Sequence, residues 1–191
     1  MTSEVWGRWP ETRFVEWVMR KYGTAEDRSK IKFLELGAGG GAQMRFLCDE
    51  GFDAWGIEAT DAGFAACRNL APHAKMLKGD LTLWDPLSVQ FDCVFDICTM
   101  QHLDPVEARV ALQRIHKWIK PGGAFFSMWA SPENAHEGLD TPASYALKPT
   151  EMATTFNGFR LIKAGMQAIK VEPDTQSTRS HWILEWQKMG P

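Results

Sequence analysis

A run of apolar residues that breaks at once into alternate glycines leaves a chain few ways to fold. Residues 33–41, Phe-Leu-Glu-Leu-Gly-Ala-Gly-Gly-Gly, are such a run. Ile31, Phe33, Leu34 and Leu36 have the continuous apolar character of a strand buried on both faces, which is the signature of a parallel sheet. Gly37, Gly39 and Gly41 follow directly. Glycine tolerates positive φ and lets a ligand approach the main chain without meeting a Cβ, so the chain can turn here and leave its backbone open to a ligand. Ala42 to Asp49 then read as a helix with Met44, Phe46, Leu47 and Cys48 available for burial. The free N–H groups of its first turn would face the same ligand.

Two ligand classes use a turn of this kind. Gly37-x-Gly39-x-x-Ala42 satisfies the dinucleotide fingerprint, and Glu58 lies about 20 residues downstream, where a ribose-binding acid is expected. Glu35 points the other way. It stands two residues before the first glycine, where a dinucleotide strand usually carries an apolar residue, and it completes Glu-x-Gly-x-Gly-x-Gly. That pattern resembles the first motif of the class I S-adenosylmethionine-dependent methyltransferases.

Further along, the chain alternates strands and helices. Phe14, Val15, Trp17, Val18 and Tyr22 predict an opening helix with Pro10 in its first turn and Gly23 at its end. Gly51 to Ile57 predict a second strand closed by Glu58, and Asp61 would cap the helix through Phe64, Cys67 and Leu70. Lys75 to Leu81 read as a third strand running into Gly79-Asp80, and Phe91 to Ile97 as a fourth. Val106, Val110, Leu112, Ile115, Trp118 and Ile119 give the apolar stripe of the next helix, which Pro121-Gly122-Gly123 would stop before a fifth strand, Ala124 to Trp129. Ala130 to Leu147 lack a pattern, Thr150 to Phe156 suggest a short helix, and Arg160 to Val171 with His181 to Lys188 suggest a final strand pair.

The resemblance extends to these segments. Gly79-Asp80 is similar to the family's adenine-recognition segment, Phe91-Asp92-x-Val94 with Gln101-His102-Leu103 to its fourth motif, and Ile119-Lys120-Pro121-Gly122-Gly123 to the turn before its fifth strand. It implies an α/β fold with a Rossmann-like doubly wound sheet, mostly parallel with an antiparallel last strand, the seven-stranded methyltransferase fold. Residues 1–191 would form a single domain, with an N-terminal lid helix in 1–23 and a substrate-side loop and short helix in 130–158. The cofactor implied is S-adenosyl-L-methionine. Its implied contacts are Glu35, Gly37, Ala38, Gly39, Gly41, Glu58 with Ala59, Asp80, Leu81 and Asp96. Glu58 would take both ribose hydroxyls, Asp80 the adenine amino group, and Leu81 would pack on the base or donate its N–H. His102 and Asp96 are the candidate catalytic residues, and Asp96 stands where many relatives carry a small residue. Trp6, Trp9 and Arg13 are candidates for the lid, and His136, Glu137 and Tyr145 for acceptor contacts. Trp6-x-x-Trp9-Pro10-Glu11 resembles the start of small bacterial methyltransferases, some of them associated with carbohydrate or secondary metabolism.

Composition narrows the partners. At 191 residues the chain has room for one sizeable core and little for a second domain. A formal net charge of −3 gives no electrostatic footprint for nucleic acid or an anionic membrane. Asp96-Ile97-Cys98-Thr99 lacks the Pro-Pro-aromatic pattern of base amino-group methylation. Cys48, Cys67, Cys93 and Cys98 have no metal or redox spacing, so no metal site and reduced thiols are expected. With no signal peptide or membrane span in the sequence, the expected location is cytoplasmic. The expected function is methyl transfer to an O or N nucleophile of a small molecule. An NAD(P)-dependent oxidoreductase, a macromolecular methyltransferase and a binding module are the alternatives. The sequence leaves the oligomeric state open.

Overall fold

A computed structural model describes residues 9–85, 88–130, 156–170 and 178–190. Its elements are α1 (Thr12–Tyr22), β1 (Lys32–Leu36), α2 (Ala42–Asp49), β2 (Asp53–Glu58), α3 (Asp61–Leu70), β3 (Lys75–Lys78), β4 (Phe91–Ile97), α4 (Pro105–Trp118), β5 (Ile119–Ala130), β6 (Phe159–Lys170) and β7 (Thr178–Lys188). The seven strands follow the order β3-β2-β1-β4-β5-β7-β6. β1 pairs in parallel with β2 and β2 with β3, whereas β7 runs antiparallel to both β5 and β6. This is the mixed, doubly wound sheet expected. The chain divides into two compact units, residues 1–94 and 95–191.

In the first unit, β1 is buried from Phe33 to Leu36, as a strand covered on both faces must be. Phe33 meets Tyr22 and Phe52 edge to face at centroid distances of 5.2 and 5.0 Å. α1 turns Phe14, Trp17 and Val18 into the core, the three-and-four spacing of an amphipathic helix. Its N-cap is Glu11, whose carboxylate accepts from Arg13 N–H, so Pro10 lies outside the helix and not in its first turn. β2 starts at Asp53, two residues later than expected, and Gly51 before it has φ of +80°, a left-handed turn conformation. Thr60, not Asp61, caps α3, and its hydroxyl accepts from Gly63 N–H. β3 ends at Lys78, where Gly79 N–H turns to bond Glu58 O at 3.0 Å.

In the second unit, α4 opens on a capping box formed by Asp104 and Glu107 with Pro105 in the first turn. Its buried stripe is Ala108, Ala111, Leu112, Ile115 and Trp118. Val106 and Val110, expected inside, are 66% and 37% exposed; the small alanines let the helix pack closely on that side and turn the valines outward. The helix ends at Trp118, three residues before Pro121. Ile119 is already extended, with φ −88° and ψ 133°, and β5 runs straight through Pro121-Gly122-Gly123. The ring of Pro121 disfavours helical geometry at Lys120, so the chain leaves the helix before it reaches the proline. Lys188 Nζ donates to His116 O and Ile119 O, both at 2.8 Å, and satisfies carbonyls freed at the helix end. β7 buries Leu184 and Trp186, and Phe156 stacks on Trp186 at 4.6 Å. The loop 131–147 and all but Phe156 of the expected short helix lie outside the described residues.

Candidate functional site

The glycine turn forms as the sequence requires. Gly37, Gly39 and Gly41 have φ of 69°, 49° and 83°. Gly41 is doubly constrained, since a Cβ there would lie 2.6 Å from Cys67 Sγ and 2.8 Å from Cys67 Cα on α3. The turn is pinned to β2, with Gly37 N–H and Ala38 N–H both donating to Ile57 O at 2.9 and 3.1 Å.

Two buried carboxylates flank this turn. Glu35, at the end of β1, is 2% exposed, and Glu58, at the end of β2, is 7% exposed. Glu58 reaches the glycines directly, with Oε2 accepting from Gly39 N–H at 3.0 Å. Oε1 accepts from Thr60 N–H at 2.8 Å and Thr60 Oγ1–H at 2.6 Å. Burial first, then the charges of Glu35 and Glu58, push the Cys67 thiol up to about 12, so this neighbour is an inert packing group. Ala59 is exposed, and its carbonyl accepts from Lys78 Nζ at 2.8 Å. Asp80 is exposed and its Oδ1 accepts from Thr82 N–H and Oγ1–H, both at 2.7 Å, while Leu81 beside it is buried. The Gly79–Glu58 backbone bond ties this segment to the end of β2. Every expected cofactor residue of the first unit thus lies on a strand end or on the turn directly after one.

Asp96 belongs to the second unit and is fully buried. Its Oδ1 accepts from Thr99 N–H at 2.8 Å and Met100 N–H at 3.0 Å, and its Oδ2 from Trp129 Nε1–H. Burial raises this carboxyl from its ordinary 3.8 to about 7, against the lowering effect of the three donors. The arrangement braces the turn after β4, where Cys98 takes φ of +63°. His102 lies on the following short 3-10 turn, Met100–His102, and is exposed. The atoms around its ring lower its pKa by desolvation, which favours the neutral imidazole a general base needs. Of the lid candidates, Trp9 is 83% exposed and Arg13 pairs with Glu16 at 3.3 Å. Trp6, His136, Glu137 and Tyr145 lie outside the described residues.

Sequence reasoning missed Thr60, Gly63 and Trp129. A threonine three residues before a glycine at a helix start is a readable cap signal, but its second bond to Glu58 has no signature. Trp129 meets Asp96 across 33 residues of chain, beyond any local pattern. Among the described residues, no group of three or more His, Cys, Asp or Glu is placed to hold a metal ion, and no helix is long and apolar enough to cross a membrane.

An acid at the end of β1, a left-handed glycine turn and an acid at the end of β2 bonded back to that turn lie at the strand ends of a sheet with the order of the seven-stranded methyltransferase fold. Residues 33–123 match the family model described as a methyltransferase domain. An uncharacterised methyltransferase of Oceanobacillus iheyensis is 27% identical over 97 residues, 51% of this chain and 46% of that protein. The matched part therefore spans about half of that relative. The fold is similar to a structure described for conversion of a disulfide bond into a thioacetal group during echinomycin biosynthesis, with a TM-score of 0.75, 16% identity, and coverage of 95% of this chain and 82% of that one. It is also similar to the N-methyltransferase NodS from Bradyrhizobium japonicum in complex with S-adenosylhomocysteine, with a TM-score of 0.68, 13% identity, and coverage of 83% and 78%. At these identities the likeness to solved structures is one of fold.

Proposed function

We propose that the protein transfers the methyl group of S-adenosylmethionine to an O or N nucleophile of a small molecule. The observation that carries this reading is the Glu58 carboxylate, buried at the end of β2 and bonded to Gly39 N–H of the glycine turn. Glu35, the turn 37–41, Glu58-Ala59 and Asp80-Leu81 would hold the cofactor, which supplies an electrophilic methyl group on a sulfonium. Little covalent machinery is asked of the protein. Its residues orient the reactants and exclude water, and effective molarity does most of the rest. An alcohol acceptor needs its proton removed, and His102, neutral at ordinary pH, is the base we assign; an amine can attack through its free lone pair. Asp96 acts in this scheme by bracing the turn that carries His102. The net charge of −3 favours a small acceptor over nucleic acid or an anionic membrane surface, and we place the reaction in the cytoplasm. The roles described for the structural neighbours, an N-methyltransferase and a protein of echinomycin biosynthesis, support the small-molecule reading.

Calorimetry with S-adenosylmethionine, S-adenosylhomocysteine, NAD and NADP tests the reading. Binding of the first pair alone is expected, and Glu58→Ala should weaken it by at least tenfold, the cost of a charge-assisted hydrogen bond. Binding of a nicotinamide cofactor instead, or an unchanged affinity in the variant, would overturn the assignment.

A further inference from the structure

Glu58 is held from both sides, and the second side involves residues with no assigned role. The Thr60 hydroxyl accepts from Gly63 N–H at 3.1 Å and lies 2.6 Å from Glu58 Oε1. Its orientation follows from the partners. A backbone N–H only donates and an ionised carboxylate only accepts, so the hydroxyl proton must point at Glu58. Thr60 N–H adds a second bond to the same oxygen. Oε1 therefore takes two protein donors and Oε2 takes one, Gly39 N–H, which leaves acceptor capacity on Oε2. Gly63 completes the arrangement by having no side chain. A Cβ there would lie 2.8 Å from Thr60 Oγ1 and 2.9 Å from Glu58 Cδ and Oε1.

We propose that Thr60 is a positioning residue for the cofactor: it occupies Glu58 Oε1, fixes the carboxylate plane and turns Oε2 toward a ribose hydroxyl, while Gly63 vacates the space this requires. The inference rests on the S-adenosylmethionine reading. It also refines it, since the ribose is then gripped mainly through one carboxylate oxygen and not evenly through two.

The test is a double-mutant cycle read by calorimetric binding of S-adenosylhomocysteine to the full chain, using wild type, Thr60→Val, Thr60→Ser, Glu58→Ala and Thr60→Val/Glu58→Ala. Thr60→Val should weaken binding about tenfold, the scale of a hydrogen bond to a charged group. Thr60→Ser should stay within about twofold of wild type, because it keeps the hydroxyl. In the Glu58→Ala background Thr60→Val should cost nothing more, since its effect passes through the carboxylate. Loss of the helix cap alone would instead add the same penalty in both backgrounds, and that result overturns the proposal. Gly63→Ala gives an independent reading: alanine ordinarily favours a helix over glycine, yet here binding should weaken about as much as in Thr60→Val. Unchanged affinity in Thr60→Val or Gly63→Ala overturns the positioning role while the cofactor reading stands. Absence of S-adenosylhomocysteine binding to wild type overturns both.

Discussion

At the scale of single residues, the two acids singled out by the sequence are built for opposite purposes. Glu58 is buried and its carboxylate accepts three hydrogen bonds, two from Thr60 and one from Gly39. Asp96 is buried more completely, and its desolvation outweighs three donors, so its carboxyl titrates near 7 against 3.8 ordinarily. Between those values the folded chain keeps a proton that the unfolded chain has released. Stability should therefore fall as pH rises from about 4 to about 7, by up to about 1.4 kcal/mol per pH unit from this group. Asp96→Asn should flatten that slope. Urea denaturation of both proteins across this range checks it, and parallel slopes would show that Asp96 is not the titrating group. Both carboxylates were visible as candidates, but the donors that meet each one are set by tertiary packing, which is not written at either position.

Elements formed where local chemistry and tertiary packing agreed. α2 and β4 fall at their expected bounds because the glycine turn starts one and a continuous apolar run makes the other. α4 shows where they parted. Its apolar residues allowed more than one stripe, and packing chose the one through Ala108 and Ala111. Its start, in contrast, is local: Asp104 Oδ1 accepts from Val106 N–H and Glu107 N–H at 2.7 and 2.9 Å, and Glu107 Oε2 accepts from Asp104 N–H at 3.1 Å. Asp104→Ala should cost about 1 kcal/mol and lower the melting midpoint by a few degrees, with S-adenosylhomocysteine affinity unchanged. A midpoint equal to wild type would mean that the box contributes nothing to α4.

For the whole molecule, ligand binding should appear as a stability change with a defined location. S-adenosylhomocysteine at about 100 times its Kd should stabilise the fold by about 2.7 kcal/mol. Hydrogen exchange should slow first around residues 37–41, 58–63 and 79–81, where the site was assigned. Protection gained only outside these segments would move the cofactor elsewhere. The order in which they occur, acid, glycines, acid, Gly-Asp, was legible because each follows a strand, and open α/β sheets bind ligands at strand ends. From that order alone the sequence determined the fold class, the turn and the set of acids, since glycine conformations, caps and apolar runs act over a few residues. Only the tertiary structure decided what each acid touches. Gly39 meets Glu58 across 19 residues and Trp129 meets Asp96 across 33, and the burial that sets a carboxyl's charge comes from segments packed over it that share no local pattern with it.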